Sequence, residues 1–283
     1  MKSIDKLREK DLKGKKVLLR CDFNVPLNAQ GEVANAFRVE RGFATVRYLS
    51  ERGARVIAVS HMGKSDETLA PVGRALKKFG PVVFVPDIVG LVAHDAAAAM
   101  KDGEIALLEN LRQDPREKEN DEGFARELAS LADLYVDDAF AAAHRAHASI
   151  VGVPKFLPHY AGLLMRDEVK TLEEARKPKS PSFAILGGAK FETKVPLIKS
   201  LLANYDHLFI TGALANDVFK ARGYETGASL ISKELPDAEV LNSSRFVVPV
   251  DVTVERPDKQ ARVKKSTEVL PDEKIVDMGP DSV

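Results

Sequence analysis

The segment LYVDDAFAAAHRAHAS, residues 134–149, joins a short apolar run to a basic turn. The run Leu134–Val136 is typical of a short buried strand, and His144, Arg145 and His147 follow it. Ligands of open α/β sheets bind beyond the carboxyl ends of the strands. An anion suits this turn, because an arginine offers a bidentate fork and a histidine can donate from either ring nitrogen. The alternative is a metal held by the His-x-x-His pair, but Arg145 would repel a cation and no third ligand stands nearby in the sequence.

The overall composition excludes several classes of protein. A chain of 283 residues is long enough for one large or two ordinary domains. Lys and Arg number 42, as do Asp and Glu, and this zero formal charge argues against a general nucleic-acid-binding protein. The single cysteine, Cys21, allows no internal disulfide and suits a reducing compartment. We see no signal-peptide pattern and no apolar run near the roughly 18 residues of a membrane span, so we expect a cytoplasmic protein without a membrane partner.

Strand-like and helix-like segments alternate along the chain. In the first half, the pattern predicts strands at 16–21, 55–59, 82–85, 105–108 and 134–136, and helices at 39–52 and 71–79. A longer amphipathic helix is predicted at 162–176. Beyond it we predict strands at 183–186 and 208–211, helices at 193–202 and 214–221, and a charged, strand-rich segment after Pro249. Apolar runs separated by amphipathic helices predict parallel sheets covered on both faces, in a doubly wound α/β fold.

Three further turns that follow predicted strands carry the same kinds of side chain. Taken alone, Asp22 and Asn24 fit an Asx-rich turn as well as a site for hydroxyl groups, and His61 fits an ordinary turn histidine. Arg38 stands at a predicted helix start, where a cation is unfavourable, which indicates a nearby anion. Because a parallel sheet brings its carboxyl ends to one edge, we predict one basic pocket for a phosphate or carboxylate, formed by Arg20, Arg38, His61, Arg112, His144, Arg145 and His147.

A glycine turn in the second half, within ILGGAKFETK at residues 185–194, links a predicted strand to a predicted helix. Glycines let backbone N–H groups approach an anion, and a helix N-terminus adds favourable potential. Lys190 and Lys194 are four residues apart and are predicted to lie on one helical face. The turn does not have the GxxxxGK[ST] spacing of a Walker A loop. With two lysines present, a nucleotide phosphate site is favoured over simple packing.

These motifs, in this order, closely resemble those of phosphoglycerate kinase. The similarity covers essentially the whole chain and runs through RCDFNVPL (20–27), SHMGK (60–64), TLAPV (68–72), LLENLR (107–112), YVDDAF (135–140), AHRAHAS (143–149), AILGGAK (184–190) and VPVDV (248–252). It implies two Rossmann-like doubly wound parallel-sheet lobes joined by a helix, with closure about a hinge. The implied regions are a 3-phosphoglycerate-binding lobe at 1–161, an interdomain helix and hinge at 162–180, and a partial nucleotide-binding lobe at 181–283.

The resemblance also implies an activity and a role for each matching residue. The reaction would be the reversible phosphoryl transfer of glycolysis and gluconeogenesis, in which 1,3-bisphosphoglycerate and ADP, with Mg²⁺, give 3-phosphoglycerate and ATP. Arg38 and Lys190 would be catalytic and stabilise the transferring phosphoryl group. The implied substrate-binding residues are Arg20, Asp22, Asn24, Arg38, His61, Lys64, Arg112, His144, Arg145 and His147. The implied nucleotide-binding residues are Gly187, Gly188, Lys190, Lys194, Gly212 and Ala213.

The sequence departs from the family pattern at several places. Lys64 stands where an arginine is usual, so a planar fork becomes a point charge. Ala36-Phe37 precedes Arg38 where Asp-Thr is usual, and Thr211-Gly212-Ala213 stands in place of three glycines. The family's GGGDS loop, whose aspartate ligates Mg²⁺, would follow residue 280 and is not in this sequence. We therefore expect no metal ligand in this chain, and little activity from the chain alone.

Two other interpretations stay open on the sequence. The chain could be a non-catalytic 3-phosphoglycerate-binding protein with a vestigial nucleotide lobe. It could also be a Rossmann-like structural module, although the coordinated placement of histidine and arginine argues against that. We expect a monomer, and note that an unfinished sheet in the second lobe would favour association.

Overall fold

The computed structural model describes residues 2–283, and the chain divides into two compact units, Met1–Thr171 and Leu172–Val283. We refer to them as unit 1 and unit 2. The division falls inside a helix, α7 (Leu163–Ala175), which the sequence predicts at 162–176. The lobe boundaries implied by the resemblance, at residues 161 and 181, stay predictions.

Unit 1 is built on a six-stranded sheet in which every pairing is parallel. The strand order is β3-β4-β2-β1-β5-β6. In chain order, the strands are β1 (Lys16–Arg20), β2 (Arg55–Val59), β3 (Val82–Phe84), β4 (Ile105–Leu107), β5 (Leu134–Asp137) and β6 (His159–Ala161). Five of the six were predicted within one residue at either end, and β6 was not predicted.

Both faces of this sheet are covered, as the apolar strand runs predict. Side chains alternate along a strand, so Val17 and Leu19 of β1 lie in one buried cluster and Leu18 lies in another. The first cluster includes Phe43 from α2, and the second includes Phe124 from α6. The helices of unit 1 are α1 (Glu9–Leu12), α2 (Phe37–Glu51), α3 (Ala70–Leu76), α4 (Leu91–Ala99), α5 (Arg116–Glu119) and α6 (Glu122–Ser130), with the first part of α7. The layering is that of a doubly wound α/β unit.

Unit 2 contains two three-stranded sheets. One is parallel, in the order β7-β8-β9, and the other is antiparallel, in the order β11-β10-β12. The strands are β7 (Phe183–Leu186), β8 (His207–Ile210), β9 (Phe246–Val247), β10 (Asp251–Glu255), β11 (Ala261–Lys265) and β12 (Lys274–Met278). The helices are α8 (Val195–Asn204), α9 (Ala213–Ala221) and α10 (Ala238–Leu241). The charged, strand-rich segment predicted after Pro249 is the antiparallel sheet.

One predicted arrangement in unit 2 is wrong. The backbone of Lys190 is left-handed, with φ 62° and ψ 76°, and a 3₁₀ turn at Phe191–Thr193 separates it from α8. Lys194 is the residue that immediately precedes α8. Lys190 and Lys194 therefore do not lie on one helical face, because the helix begins only after the second lysine.

Across residues 2–283, none of the helices combines the length and the apolar character needed to cross a membrane.

Candidate active site

The predicted anion-binding side chains lie at the carboxyl ends of four adjacent strands of unit 1. The strands β4, β2, β1 and β5 are neighbours in the sheet. Arg20 ends β1, His61 lies two residues after β2, and Arg112 lies in a 3₁₀ turn after β4. Arg145 lies in the longer connection that follows β5. The strand order reverses between β1 and β5, because β2 and β4 lie on one side of β1 and β5 lies on the other. Open α/β sheets bind their ligands at such a point.

Arg20 is fully buried beneath this edge. Its Nε donates to Ser149 Oγ at 3.0 Å, its Nη1 donates to the Cys21 carbonyl, and its Nη2 lies 2.9 Å from His61 Nδ1. A guanidinium has no acceptor, so Nδ1 of His61 accepts this bond. Burial lowers the pKa of His61 from 6.5 to about 2, and the nearby arginines act in the same direction. The ring is therefore neutral at physiological pH, with its proton on Nε2.

The open side of His61 faces two more cations. Arg145 Nη1 lies 3.4 Å from His61 Nε2, and both atoms carry hydrogen, so these two donors face a common space. Arg112 donates from Nη1 to the Met62 and Gly63 carbonyls, at 3.0 and 2.7 Å, while its Nε is buried without a partner. Burial, followed by the charges of Arg145 and Arg20, lowers the pKa of Arg112 from its usual value. Within residues 2–283, His61 Nε2 and Arg112 Nε are therefore donors for which the structure provides no acceptor.

Arg38 belongs to a separate pair beside this group. It is the second residue of α2, as predicted, and its side chain is half exposed. Its Nη1 lies 3.2 Å from Asp22 Oδ2 and donates to the Asn24 carbonyl at 3.0 Å. The anion that the helix-start position suggested is thus the protein's own Asp22 carboxylate. The predicted hydroxyl-binding pair, Asp22 and Asn24, is held against Arg38 by these contacts.

Three predicted substrate-binding residues lie differently from the central group. His147 is partly buried, and its Nδ1 is 3.7 Å from the Glu117 carboxylate. His144 and Lys64 are exposed, and within residues 2–283 neither side chain forms a hydrogen bond or ion pair with the group. The substrate-binding roles implied for His144 and Lys64 therefore stay predictions.

Asn110, which the sequence analysis did not single out, organises two of the turns. Its Oδ1 accepts from the backbone N–H groups of Met62 and Arg112, at 3.0 and 3.1 Å. Its Nδ2 donates to the carbonyls of Lys64 and Glu67, at 2.9 and 2.7 Å. The amide thus joins the turn after β2 to the turn after β4. An asparagine directly before the arginine turn was the only sequence signal for it.

Ser149 and Glu117 were also missed. Ser149 Oγ lies 2.6 Å from Glu117 Oε1, and the backbone N–H of Ser149 donates to Glu117 Oε2 at 2.8 Å. Both residues are fully buried. Ser149 ends the quoted basic segment, but Glu117 lies in a mixed-charge run that resembles a solvated surface. No local pattern distinguishes this buried glutamate from its exposed neighbours.

The glycine turn of unit 2 borders a cavity of about 410 Å³, which is within the usual range for small-molecule sites. Gly187, Gly212 and Ala213 line it, as their predicted nucleotide role requires. Gly212 and Gly188 have positive φ, 64° and 139°, and a Cβ on Gly212 would meet the Gly188 backbone at 3.4 Å. The rest of the lining is mainly apolar. It includes Phe219 of α9, Val252 of β10, Val276 and Met278 of β12, and Leu230 from the connection between α9 and α10. Sequence reasoning did not find these apolar residues.

The two predicted phosphate-binding lysines lie near the start of α8. Lys190 is exposed and Lys194 is partly exposed. The backbone after Lys190 is anchored, because Phe191 N–H donates to Ser232 Oγ at 2.8 Å and Ser232 in turn contacts the buried Asp217 at 2.8 Å. This anchoring maintains the left-handed backbone at Lys190.

Comparison with known proteins shows the family of this chain. A family model described as phosphoglycerate kinase matches residues 7–283. The chain belongs to the phosphoglycerate kinase family. A phosphoglycerate kinase of Moorella thermoacetica is 46% identical over 264 residues, which are 88% of this chain and 67% of the relative. One of Thermomicrobium roseum is 41% identical over 296 residues, which are 98% of this chain and 75% of the relative.

Solved structures of phosphoglycerate kinases share the fold. The structure of the Coxiella burnetii enzyme has a TM-score of 0.81 and 35% sequence identity, and the match covers 99% of this chain and 74% of that chain. The structure of the Pyrococcus horikoshii enzyme has a TM-score of 0.82 and 27% sequence identity, and the match covers 100% of this chain and 76% of that chain. The expected Rossmann-like α/β fold is confirmed, and the chain is a member of a phosphotransferase family.

Proposed function

We propose that the edge of the unit 1 sheet binds the phosphate and carboxylate groups of 3-phosphoglycerate and 1,3-bisphosphoglycerate. The supporting observation is the excess of donors around His61 Nε2, Arg145 and Arg112 Nε. Within residues 2–283, no carboxylate is hydrogen-bonded to Arg112 or Arg145. A buried donor without a partner costs about 1–3 kcal/mol, so an anion that accepts from this group recovers free energy on binding.

Unit 2 is proposed to bind ADP and ATP. Its apolar cavity suits a purine ring, and the glycines at one side let phosphate oxygens approach backbone N–H groups. Lys190 and Lys194 would supply positive charge to the phosphates. The exposed Lys190 is free to follow a moving phosphoryl group, whereas Lys194 is tied to the start of α8.

The proposed reaction is phosphoryl transfer between a carboxyl group and a nucleoside diphosphate. In the ATP-forming direction, an oxygen of the ADP β-phosphate attacks the phosphorus of the acyl phosphate, and the P–O bond to the carboxyl group breaks. The leaving group is the carboxylate of 3-phosphoglycerate. The protein needs no covalent intermediate, because such transfer depends on positioning and charge neutralisation. Arg38 and Lys190 are the proposed cations for the transferring group, with Arg38 oriented by Asp22.

The family resemblance includes Mg²⁺ bound with the nucleotide. Among residues 2–283, no three His, Cys, Asp or Glu side chains are arranged to hold a metal ion. The residues present therefore do not fit a protein-built magnesium site, and we assign no step to the ion. We further propose a monomeric cytoplasmic enzyme, for which light scattering of the purified chain is the direct test of subunit number.

The interpretation as a one-ligand binding protein with a vestigial nucleotide lobe is not favoured. The family match extends from residue 7 to residue 283 and so includes both units. Binding of both ligands is therefore the expectation against which the chain is tested.

The test is isothermal titration of the purified chain with 3-phosphoglycerate and, separately, with Mg-ADP. Arg145→Ala should weaken 3-phosphoglycerate binding about 10- to 100-fold, as expected for loss of a charged hydrogen bond, and should leave Mg-ADP binding unchanged. Arg126→Ala is the matched control, because Arg126 is an exposed arginine of α6 paired with Glu122. Equal 3-phosphoglycerate affinity in both variants, or no binding by the folded wild-type chain, would contradict the proposal.

A further inference from the structure

A line of hydrogen bonds extends inward from His61, away from the open side of the unit 1 site. His61 accepts from Arg20, Arg20 donates from Nε to Ser149 Oγ at 3.0 Å, and Ser149 contacts Glu117 at 2.6 Å. The exposed fractions are 4% for His61 and 0% for Arg20, Ser149 and Glu117. Bulk solvent therefore does not reach these groups, and each is hydrogen-bonded to a protein partner.

The direction of every bond in this line follows from the chemistry of its members. An ionised carboxylate only accepts, so the Ser149 hydroxyl donates to Glu117. The oxygen of Ser149 is then left with its lone pairs, which accept from Arg20. A guanidinium only donates, so Arg20 leaves His61 Nδ1 as an acceptor and the ring proton on Nε2.

We infer that Ser149 and Glu117 are positioning residues of the anion site, which act through Arg20 to keep His61 donating from Nε2 toward the ligand. This inference rests on the proposed function and identifies what prepares the pocket before the ligand arrives. Without the Ser149 hydroxyl, Arg20 Nε would lose its acceptor, and the bond from Nη1 to the Cys21 carbonyl would be the remaining backbone anchor of the guanidinium beside His61. His61 could then adopt the tautomer with its proton on Nδ1, in which Nε2 has no hydrogen to donate.

Glu117 also accounts for how the fold tolerates three cations at one edge. Its carboxylate is the negative group on the buried side, close to Ser149 and 3.7 Å from His147. Its charge raises the pKa of Arg112, against the lowering by burial and by Arg145. Because Glu117 lies behind Ser149, it balances the buried charge without occupying the open side where the anion binds.

The inference is tested with Ser149→Ala, for which Ser50→Ala is the matched control. The Ser50 hydroxyl donates to the Gly103 carbonyl at 2.5 Å, next to the amino end of the sheet. Ser50→Ala therefore removes one hydrogen bond of a serine hydroxyl far from the site, whereas Ser149→Ala removes two. In the wild-type chain, ¹⁵N NMR of the His61 ring should show hydrogen on Nε2 and a bare Nδ1. In Ser149→Ala the two ring nitrogens should move toward averaged shifts, and the Kd for 3-phosphoglycerate should rise about three- to tenfold.

A double-mutant cycle separates positioning from general damage to the fold. If Ser149 acts through His61, Ser149→Ala should have little effect on affinity in a His61→Ala background. Ser149→Thr, which keeps the hydroxyl, should restore the His61 signals. Glu117→Gln is the second variant if Ser149→Ala does not fold, because an amide can accept from only one of the two Ser149 groups, and it should also mix the tautomers.

The possible results distinguish this inference from the proposed function. Suppose that the wild-type chain binds 3-phosphoglycerate. The positioning role is then wrong, and the proposed function stands, if Ser149→Ala leaves the His61 tautomer unchanged. The same conclusion follows if Ser149→Ala lowers the affinity for 3-phosphoglycerate by its full amount in the His61→Ala background. If the wild-type chain does not bind 3-phosphoglycerate, the proposed function fails. In that case the positioning role of Ser149 and Glu117 toward this ligand fails as well, whichever tautomer the His61 ring adopts.

Discussion

Asp138 Oδ1 accepts a hydrogen bond from the backbone N–H of Met165 at 3.0 Å, so an almost fully buried carboxylate lies against the first turn of α7. Any side chain at Gly162 would overlap the same carboxylate, which explains the glycine there. A helix N-terminus favours a negative charge, whereas burial opposes it. Burial dominates here, and the pKa of Asp138 is raised to about 6.

Asp138 should therefore make stability depend on pH. With a pKa near 3.8 unfolded and about 6 folded, the folded state binds more protons between these values, so the contribution of Asp138 to the free energy of unfolding falls as pH rises through that window. The shift corresponds to roughly 3 kcal/mol. Asp138→Asn keeps an acceptor for Met165 and cannot titrate, so its stability relative to wild type should increase from pH 4 to pH 7 in urea unfolding. Asp167→Asn, an exposed change on α7, should show no such trend, and parallel curves for all three proteins would contradict this assignment.

His61 should have the opposite effect at acid pH. Its pKa is about 2 in the folded protein and 6.5 in the reference state, so below pH 6.5 the unfolded state binds the additional proton. Stability should then fall by about 1.4 kcal/mol per pH unit through this group alone. His61→Asn, whose amide oxygen can replace Nδ1 as the acceptor for Arg20, should flatten the loss between pH 6 and pH 4. The control is His94→Asn, an exposed histidine of α4, and an equal flattening there would show that burial of His61 is not the cause.

Asn110→Ala should weaken both the fold and the site. The amide forms four hydrogen bonds to the backbone of two turns, and buried partners left unsatisfied cost about 1–3 kcal/mol each. We expect a loss of roughly 2–4 kcal/mol in the free energy of unfolding, with weaker 3-phosphoglycerate binding measured by titration. Asn204→Ala removes an exposed amide that donates to one carbonyl of its own helix. If the two variants lose similar stability, Asn110 does not organise these turns.

The left-handed backbone at Lys190 separates its role in the fold from its role in binding. Lys190→Gly should be about 1 kcal/mol more stable than Lys190→Ala, because glycine adopts positive φ without steric cost. Both variants should bind Mg-ADP more weakly than wild type, since both lack the ammonium group. Lys259, with φ 61°, is the matched position outside the site. Lys259→Gly should be stabilising with unchanged nucleotide affinity, and a nucleotide effect there would mean that backbone geometry is not the relevant difference.

Strands that coincide with an apolar run bounded by turn residues were predictable from the sequence, including the three-residue β3 and β4, whereas β6 and β9 were not. Residues 55–59 and 183–186 were predicted at their observed limits. Apolar side chains fill 56–59 and 183–186, and Ser60 and Gly187 directly follow these runs. β6 begins with an exposed histidine and β9 spans only two residues, and each is defined by its pairing with one neighbouring parallel strand. At Lys190 the helical spacing predicted the wrong geometry, because spacing carries no information about a left-handed residue that breaks the period.

In the candidate site of unit 1, residues with a local sequence signal were likewise predictable, and residues that depend on distant partners were not. Arg112, Arg145 and His61 were predictable because their charge or donor capacity, together with a strand-end position, already suggests an anion. Ser149 and Glu117 lie 32 residues apart in the chain, and Asn110 and Met62 lie 48 apart. Their importance comes from partners that only the folded sheet brings near, so no local pattern could reveal it.

The hydrogen bond between Arg20 and Ser149 closes a loop of 129 residues, which is most of unit 1. Contacts between residues so distant in sequence carry a large loop-closure entropy and form late in folding. Secondary structure can therefore be regained during refolding well before the site can hold its ligand. A ligand that binds only the complete site stabilises that state alone. If the proposed function holds, 3-phosphoglycerate would therefore stabilise only those chains in which this sheet is fully assembled.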